Sequence, residues 1–233
     1  MPSTEIIAIG TELLLGEMQD TNTRYLARLL RNANIDLFRS TIIGDNTARI
    51  SELIKDALSR SDIIITSGGL GPTVDDPTRL AVANALDREL VFIPQLWDQI
   101  LERFERYGRP PTENNRRQAY IPAGAIPIEN QVGTAPAFIV EIGEKCIISL
   151  PGVPRELEYL MENHVMSYLT RRYQLKGVIK VLVVHTAGIG ESSVDEKVAD
   201  LEVMSNPTLG LLAHPAQTDV RITAKAESEE EAQ

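Results

Sequence analysis

A single cysteine, Cys146, means that no disulfide can close within the chain, which excludes the small disulfide-stapled scaffolds of oxidising compartments. It lies in the apolar run Cys146-Ile147-Ile148-Ser149-Leu150, so it reads as core filler rather than a nucleophile. No apolar run approaches the ~18 residues that span a bilayer, and no charged-then-apolar leader opens the sequence. Both point away from a membrane and toward a reducing, cytoplasmic setting. Basic residues are in deficit: 23 Lys and Arg stand against 33 Asp and Glu, for a formal charge of −10. That balance argues against nucleic acid or an anionic lipid surface as the main partner. There are three histidines. His164 falls on the helical stripe of Leu157, Leu160, Met161, Val165 and Leu169 and reads as core, while His185 and His214 have no spaced partner resembling a metal site. No Gly-Lys-Ser/Thr follows the glycine loop, which excludes a Walker site, and the Gly-x-Gly-x-x-Gly dinucleotide fingerprint is missing too.

What is present centres on one stretch, from Asp62-Ile63-Ile64-Ile65-Thr66-Ser67 through Gly68-Gly69-Leu70-Gly71-Pro72-Thr73-Val74-Asp75-Asp76-Pro77-Thr78. The apolar run predicts a strand buried on both faces of a parallel sheet. The glycines permit backbone conformations and approaches that a side chain would block, and Pro77-Thr78 reads as a helix start. Strand, glycine loop and helix start together make an anion pocket, with backbone N–H groups facing a phosphate. Asp75 and Asp76 would repel a phosphate directly, so their natural use is to hold a divalent cation between.

Other strand ends carry similar chemistry. Thr4 to Ile9 predicts a first strand that delivers Gly10, Thr11 and Glu12 to the carboxyl edge of the sheet, where open α/β folds place ligands. Glu12 there serves either a ribose or metal-bound water, or a local turn. Residues 35–43 predict a second strand closed by Gly44-Asp45-Asn46, so Glu12, Asp45 and Asp76 would gather on one edge. A helix begins at Thr21-Asn22-Thr23, with capping as the plainest role of Asn22. A short helix holds Asn114-Asn115-Arg116-Arg117-Gln118, whose amides suit recognition of a base or sugar. Trp97, Ile100, Leu101 and Phe104 share the face of a further helix over 94–107, with Trp97 in the core. Short strands over 125–129, 137–142 and 145–150 predict a hairpin at a sheet edge, preceded by Gly133-Thr134-Ala135-Pro136 and followed by the turn Leu150-Pro151-Gly152-Val153-Pro154.

Six blocks, in order, closely resemble the CinA family: residues 9–16, 20–23, the loop 68–78, 114–119, 133–136 with 150–156, and Gly188-Ile189-Gly190-Glu191-Ser192. The resemblance implies a MogA/MoaB-like, molybdopterin-binding type of fold, a three-layer α/β/α domain with a mostly parallel sheet, over residues 1–170. Residues 171–233 would form a small KH-like α+β module. The implied activity is a metal-dependent pyrophosphatase that hydrolyses ADP-ribose to AMP and ribose 5-phosphate, using Mg²⁺, Mn²⁺ or Co²⁺. The same resemblance implies Asp45 and Asp76 as catalytic and metal-holding acids. It places the substrate against Gly10, Glu12, Asn22, Gly68, Gly69, Gly71, Pro72, Thr73, Thr78, Asn115, Gln118, Gly133, Thr134 and Gly152. Two alternatives stand beside it: a molybdopterin-binding protein of molybdenum cofactor biosynthesis, and a nucleotide-binding assembly module without turnover.

In the second module, strand-like runs over 178–184, 206–214 and 218–226 surround a helix over 191–201. Gly188-Ile189-Gly190 lacks the Gly-x-x-Gly loop of RNA-binding KH domains, and the acidic stretch 227–231 would repel a nucleic-acid backbone. A role in structure or homodimer formation is expected, with a small-molecule nucleotide as the ligand of the chain. The sequence ends at what reads as a helix cut short, and nothing in it resembles the C-terminal deamidase domain of longer family members.

Overall fold

The computed structural model describes residues 2–175, 177–226 and 230–231; residues 227–229, which belong to the acidic stretch 227–231, and the closing pair 232–233 lie outside these. Two compact units are formed. The first comprises residues 1–30 and 35–174; the second comprises residues 31–34 and 175–233. No helix of the described residues is long and apolar enough to cross a membrane.

The first unit is built on a six-stranded sheet in the order β2-β1-β3-β8-β7-β6. Its strands are β1 (Ser3–Ile9), β2 (Asp36–Ile43), β3 (Ile63–Ser67), β6 (Ile126–Ile128), β7 (Ala137–Ile142) and β8 (Lys145–Leu150). The run β2-β1-β3-β8 is parallel, and β7 and β6 add antiparallel pairings. The predicted hairpin is therefore β7–β8, with β8 drawn inside the sheet by its pairing to β3 and β6 left at the edge. All five residues of β3 are buried, as its unbroken apolar run requires. Ile63, Ile64 and Ile65 have no exposed surface, a burial that contributes about 2 kcal/mol each.

Helices α1 (Thr11–Leu14) and α2 (Thr21–Asn32) follow β1, and α3 (Thr47–Arg60), α4 (Thr78–Ala85) and α5 (Pro94–Arg106) follow β2, β3 and β4 (Leu90–Phe92) in the chain. The expected apolar face of α5 is present in part: Ile100 and Phe104 are buried and Trp97 packs against the same core as a partly buried residue, but Leu101 is exposed and Leu96 takes its place in the core. A last long helical stretch runs as α6 (Pro154–Leu160), one π-helical turn (Met161–Val165) and α7 (Met166–Tyr173). The pair β4–β5, with β5 at Tyr120–Pro122, was not predicted; three residues per strand are too few for an alternating pattern to declare itself. Cys146 is buried, as expected.

The direction of the connections positions the site. From β1 the chain crosses to β2 on one side, then returns to β3 on the other, so the carboxyl ends of β1 and β3 adjoin at a topological switch point. Gly10 N–H donates to Ile43 O, and Gly68 N–H donates to Leu150 O, carrying the pairing one residue beyond the strands.

The second unit folds as β9 (Val178–Ala187), α8 (Glu191–Glu202), β10 (Thr208–His214) and β11 (Gln217–Ala226), an antiparallel sheet in the order β10-β11-β9. This is the predicted β-α-β-β pattern. The partner that the two histidines lacked in sequence is Asp219 on the central strand: its two oxygens take His185 Nδ1 at 2.7 Å and His214 Nε2 at 3.3 Å.

Candidate active site

A cavity of about 610 Å³ opens at the switch point, within the size range of small-molecule sites. The glycine loop forms its floor. Gly68 has φ +107°, and a Cβ there would stand 2.1 Å from the Ile9 carbonyl oxygen, so only glycine lets the β3 end lie against the β1 end. Gly69 has φ +64°, with Thr78 Oγ1 where a Cβ would fall. Thr78 is fully buried and donates to Gly68 O at 2.7 Å, tying the start of α4 to the loop.

Asp76 locks the rest of the turn. Its Oδ1 accepts from Gly71 N–H, and its Oδ2 accepts from Thr73 N–H and Oγ1, each at 2.7 Å. Beneath it, the buried Arg79 guanidinium donates to Leu70 O and Gly71 O. Burial pushes Arg79 down to about 10, with Asp76 opposing the shift, so it stays charged at neutral pH. The loop thus rests on a permanent buried cation.

Two side chains are free for the site because their neighbours take the capping. Asp20 Oδ1 accepts from Thr23 N–H at the start of α2, which leaves Asn22 Nδ2 to donate to Gly152 O at 2.8 Å and Ser67 Oγ at 3.0 Å. Likewise Asn46, not Asp45, caps α3. Asp45 Oδ2 accepts from Thr11 N–H at 2.8 Å, and the residue lines the cavity with no partner for its other oxygen among the described residues.

Of the residues predicted from sequence, Gly10, Glu12, Asp45, Gly68, Gly69, Gly71, Pro72, Asp76, Gln118, Thr134 and Gly152 line the cavity. The other five take positioning roles. Asn22 joins two loops and Thr78 anchors one, as above. Thr73 turns its hydroxyl to Asp76 and borders a separate, more apolar hollow with Val74, Leu80 and Tyr120. Asn115 is buried: its Oδ1 accepts from Thr112 N–H and Oγ1, closing a capping box on the 3₁₀ turn Glu113–Ala119, and its Nδ2 donates to Gln118 Oε1 at 3.2 Å. It therefore orients Gln118, which reaches Leu70 O at 3.4 Å. Gly133 is placed beneath a side chain the sequence reading left out, Glu156.

Glu156 lines the cavity, as do Asp75 and Met18. Burial holds the Glu156 carboxyl above the usual carboxylate range, although Asn130 and the Ala135 backbone hydrogen-bond to it and Arg103 adds a favourable charge. Its place in the turn of residues 150–156 is visible in the sequence, but its inward aim depends on Asn130, distant in sequence.

The electrostatics are lopsided. Among the described residues, Glu12, Asp45, Asp75, Asp76 and Glu156 line the cavity, and no Lys, Arg or His does. Among the described residues, no protein acceptor takes the backbone N–H groups of Gly69, Leu70, Gly152 or Val153, from the two turns that flank the opening. Amides for anions and carboxylates for a cation therefore share one space.

Comparison with known proteins agrees with this frame. A family described as a probable molybdopterin binding domain matches residues 5–171, and the KH domain of damage-inducible protein CinA matches residues 182–233. A putative competence-damage inducible protein from Caldanaerobacter subterraneus subsp. tengcongensis is 45% identical over 226 residues, 97% of this chain and 54% of that protein. Its counterpart in Clostridium acetobutylicum is 41% identical over 227 residues, again 97% of this chain and 55% of that protein. The chain spans about half the length of these curated relatives. Among solved structures, the protein CinA of unknown function from Thermoplasma acidophilum is 33% identical with a TM-score of 0.66, covering 72% of this chain and 96% of that one. A molybdopterin biosynthesis protein from Mycobacterium abscessus, 17% identical with a TM-score of 0.51 over 74% of this chain and 95% of that one, shares the fold.

Proposed function

The chain belongs to the CinA family, and from that premise we propose that its cavity binds ADP-ribose and hydrolyses the diphosphate to AMP and ribose 5-phosphate with a divalent cation. The observation that carries the reading is the pairing, among the described residues, of free backbone amides with five carboxylates in one cavity without a basic lining residue. A diphosphate entering such a space needs amides for its oxygens and a cation to offset the acids.

The donor set fits that cation. It is all carboxylate oxygen, which suits Mg²⁺, Mn²⁺ or Co²⁺ over softer metals. Among the described residues no three His, Cys, Asp or Glu side chains converge on one point. Mg²⁺ is ordinarily held by one or two carboxylates, with substrate phosphates and water completing its shell. Asp45 is the freer of the two predicted ligands, while Asp76 keeps only the lone pairs its loop does not use. When bound, the cation would polarise a phosphoryl oxygen and neutralise developing charge. The chain itself would hold the diphosphate on the amides of Gly69, Leu70, Gly152 and Val153. Gln118 and Glu12 would meet sugar or base. A homodimer formed through the second unit belongs to the same proposal.

The match to a probable molybdopterin binding domain favours a second reading, in which the same amides hold the phosphate of a pterin and no bond is broken. The two separate on one assay: ADP-ribose with the protein, with and without Mg²⁺, Mn²⁺ or Co²⁺, following AMP, beside Asp76→Asn. AMP that requires metal and disappears in the folded variant supports the pyrophosphatase. A folded wild-type protein that binds the nucleotide and releases no AMP with any metal removes it and leaves a binding module.

A further inference from the structure

Glu156 is held in a way that a wall residue does not need. Its carboxylate lies over Gly133, where a Cβ would come within 2.0 to 2.4 Å of its atoms, so a side chain there would displace the carboxylate. Asn130, with no exposed surface, donates through Nδ2 to Glu156 Oε2 at 2.5 Å and to Ala135 O at 2.9 Å. The Asn130 Oδ1 accepts from the N–H groups of Val132 and Gly133. Its backbone is clamped in turn by both ends of the Gln99 amide, which takes Asn130 N–H at 3.1 Å and donates to Asn130 O at 2.8 Å. Both polar atoms of the asparagine side chain serve the loop 130–135 or the glutamate. Glu156 is thus fixed on one side and open to the cavity on the other.

We propose that Glu156 is the general base of the hydrolysis, with Asn130 as its positioning residue; this rests on the pyrophosphatase reading above. One proton of the attacking water passes to Glu156, while the water oxygen bonds to phosphorus and keeps its second proton. The bridging P–O bond breaks, its electron pair leaves with the departing phosphate, and Glu156 returns its proton to solvent. A base is most effective when its pKa lies near the working pH, and burial moves Glu156 in that direction. Asp45 and Asp76 are bound to backbone N–H groups, and the turn carries Asp75 at its exposed rim. The charged groups around Glu156 are Arg103 of α5, the cavity acids Glu12, Asp45, Asp75 and Asp76, and Arg155 and Glu158 of its own helix.

The test is AMP release by the full chain with saturating metal, as a function of pH, in wild type and Glu156→Gln. The glutamine side chain can still accept from Asn130, so the fold is preserved. The expected loss in kcat at neutral pH is about 10²- to 10⁴-fold with KM within a few-fold. The wild-type profile should fall on the acid side above the ordinary glutamate range, and the residual rate of the variant should lack that limb. A second variant, Asn130→Ser, removes a donor that favours the charged form, so its acid limb should move to higher pH. A merely structural glutamate would alter stability or KM and leave the acid limb in place. Wild-type AMP release that persists within tenfold in Glu156→Gln overturns the assignment of the base and leaves the pyrophosphatase standing. No AMP from folded wild type with any metal overturns both.

Discussion

Asp76 carries more structural duty than a sequence reading assigns to it. Its carboxylate accepts three hydrogen bonds at 2.7 Å, two from backbone N–H groups and one from the Thr73 hydroxyl. In Asp76→Asn one amide hydrogen would point at one of those donors, leaving at least one bond unmade. The expected loss is about 1–3 kcal/mol of folding free energy, measurable by chemical denaturation. Weaker ADP-ribose binding should accompany it, because the turn that offers Gly69 and Leu70 N–H would open. If the variant matches wild type in both denaturation midpoint and nucleotide affinity, the carboxylate does not organise the turn. Asn22 and Asp45 show the opposite case: each sits beside a residue that takes the helix cap, so the bland role suggested by local sequence falls to Asp20 and Asn46.

At the scale of elements, the turn from β3 to α4 couples the sheet edge to the site. Gly68→Ala would place a methyl 2.1 Å from Ile9 O in a backbone region that L side chains rarely adopt. The end of β1 would have to move, carrying Gly10 and Glu12 with it. Nucleotide binding should be lost even if the protein still folds, which calorimetric titration beside circular dichroism would show. Thr78→Val removes the buried bond to Gly68 O and should cost about 1 kcal/mol, a gentler version of the same lesion. This turn was legible because its signals are local: an apolar run, four glycines and prolines in eight residues, then a helix start. The pair β4–β5 and the inward aim of Glu156 were not. Asn115 was read as a ligand contact because amides suit bases, but its oxygen is consumed three residues away at Thr112. Asn130 meets Glu156 across 26 residues, and no local pattern encodes such a meeting. The central strand β3 was legible because its run is apolar throughout, whereas the separate antiparallel pair β4–β5 is too short to show a pattern.

At the scale of the whole chain, charge is distributed so that both units weaken in acid. In the first unit, burial alone would raise Glu5, but hydrogen bonds from Arg60 and Ser61 outweigh it and hold the carboxyl low. Asp62 is held low chiefly by Ser3 N–H, with help from the Ser3 hydroxyl. In the second, Gln217 and His185 hold Asp219 low. A carboxylate whose folded pKa lies below its unfolded value contributes stability above the unfolded pKa, about 4, and loses it as pH falls through the folded pKa. Thermal midpoints should therefore be flat near neutrality and fall below about pH 4, and Glu5→Gln should flatten part of that fall while lowering the neutral plateau. Among the described residues, however, those that line the cavity all belong to the first unit. Asp219→Asn breaks the bridge between strands of the second unit, and Asp219 is not among the residues that line the cavity. It should destabilise that unit at neutral pH and leave kcat/KM for ADP-ribose within about twofold. A large drop in turnover in Asp219→Asn would mean that the second unit takes part in the chemistry, a dependence that the residues lining the cavity give no reason to expect.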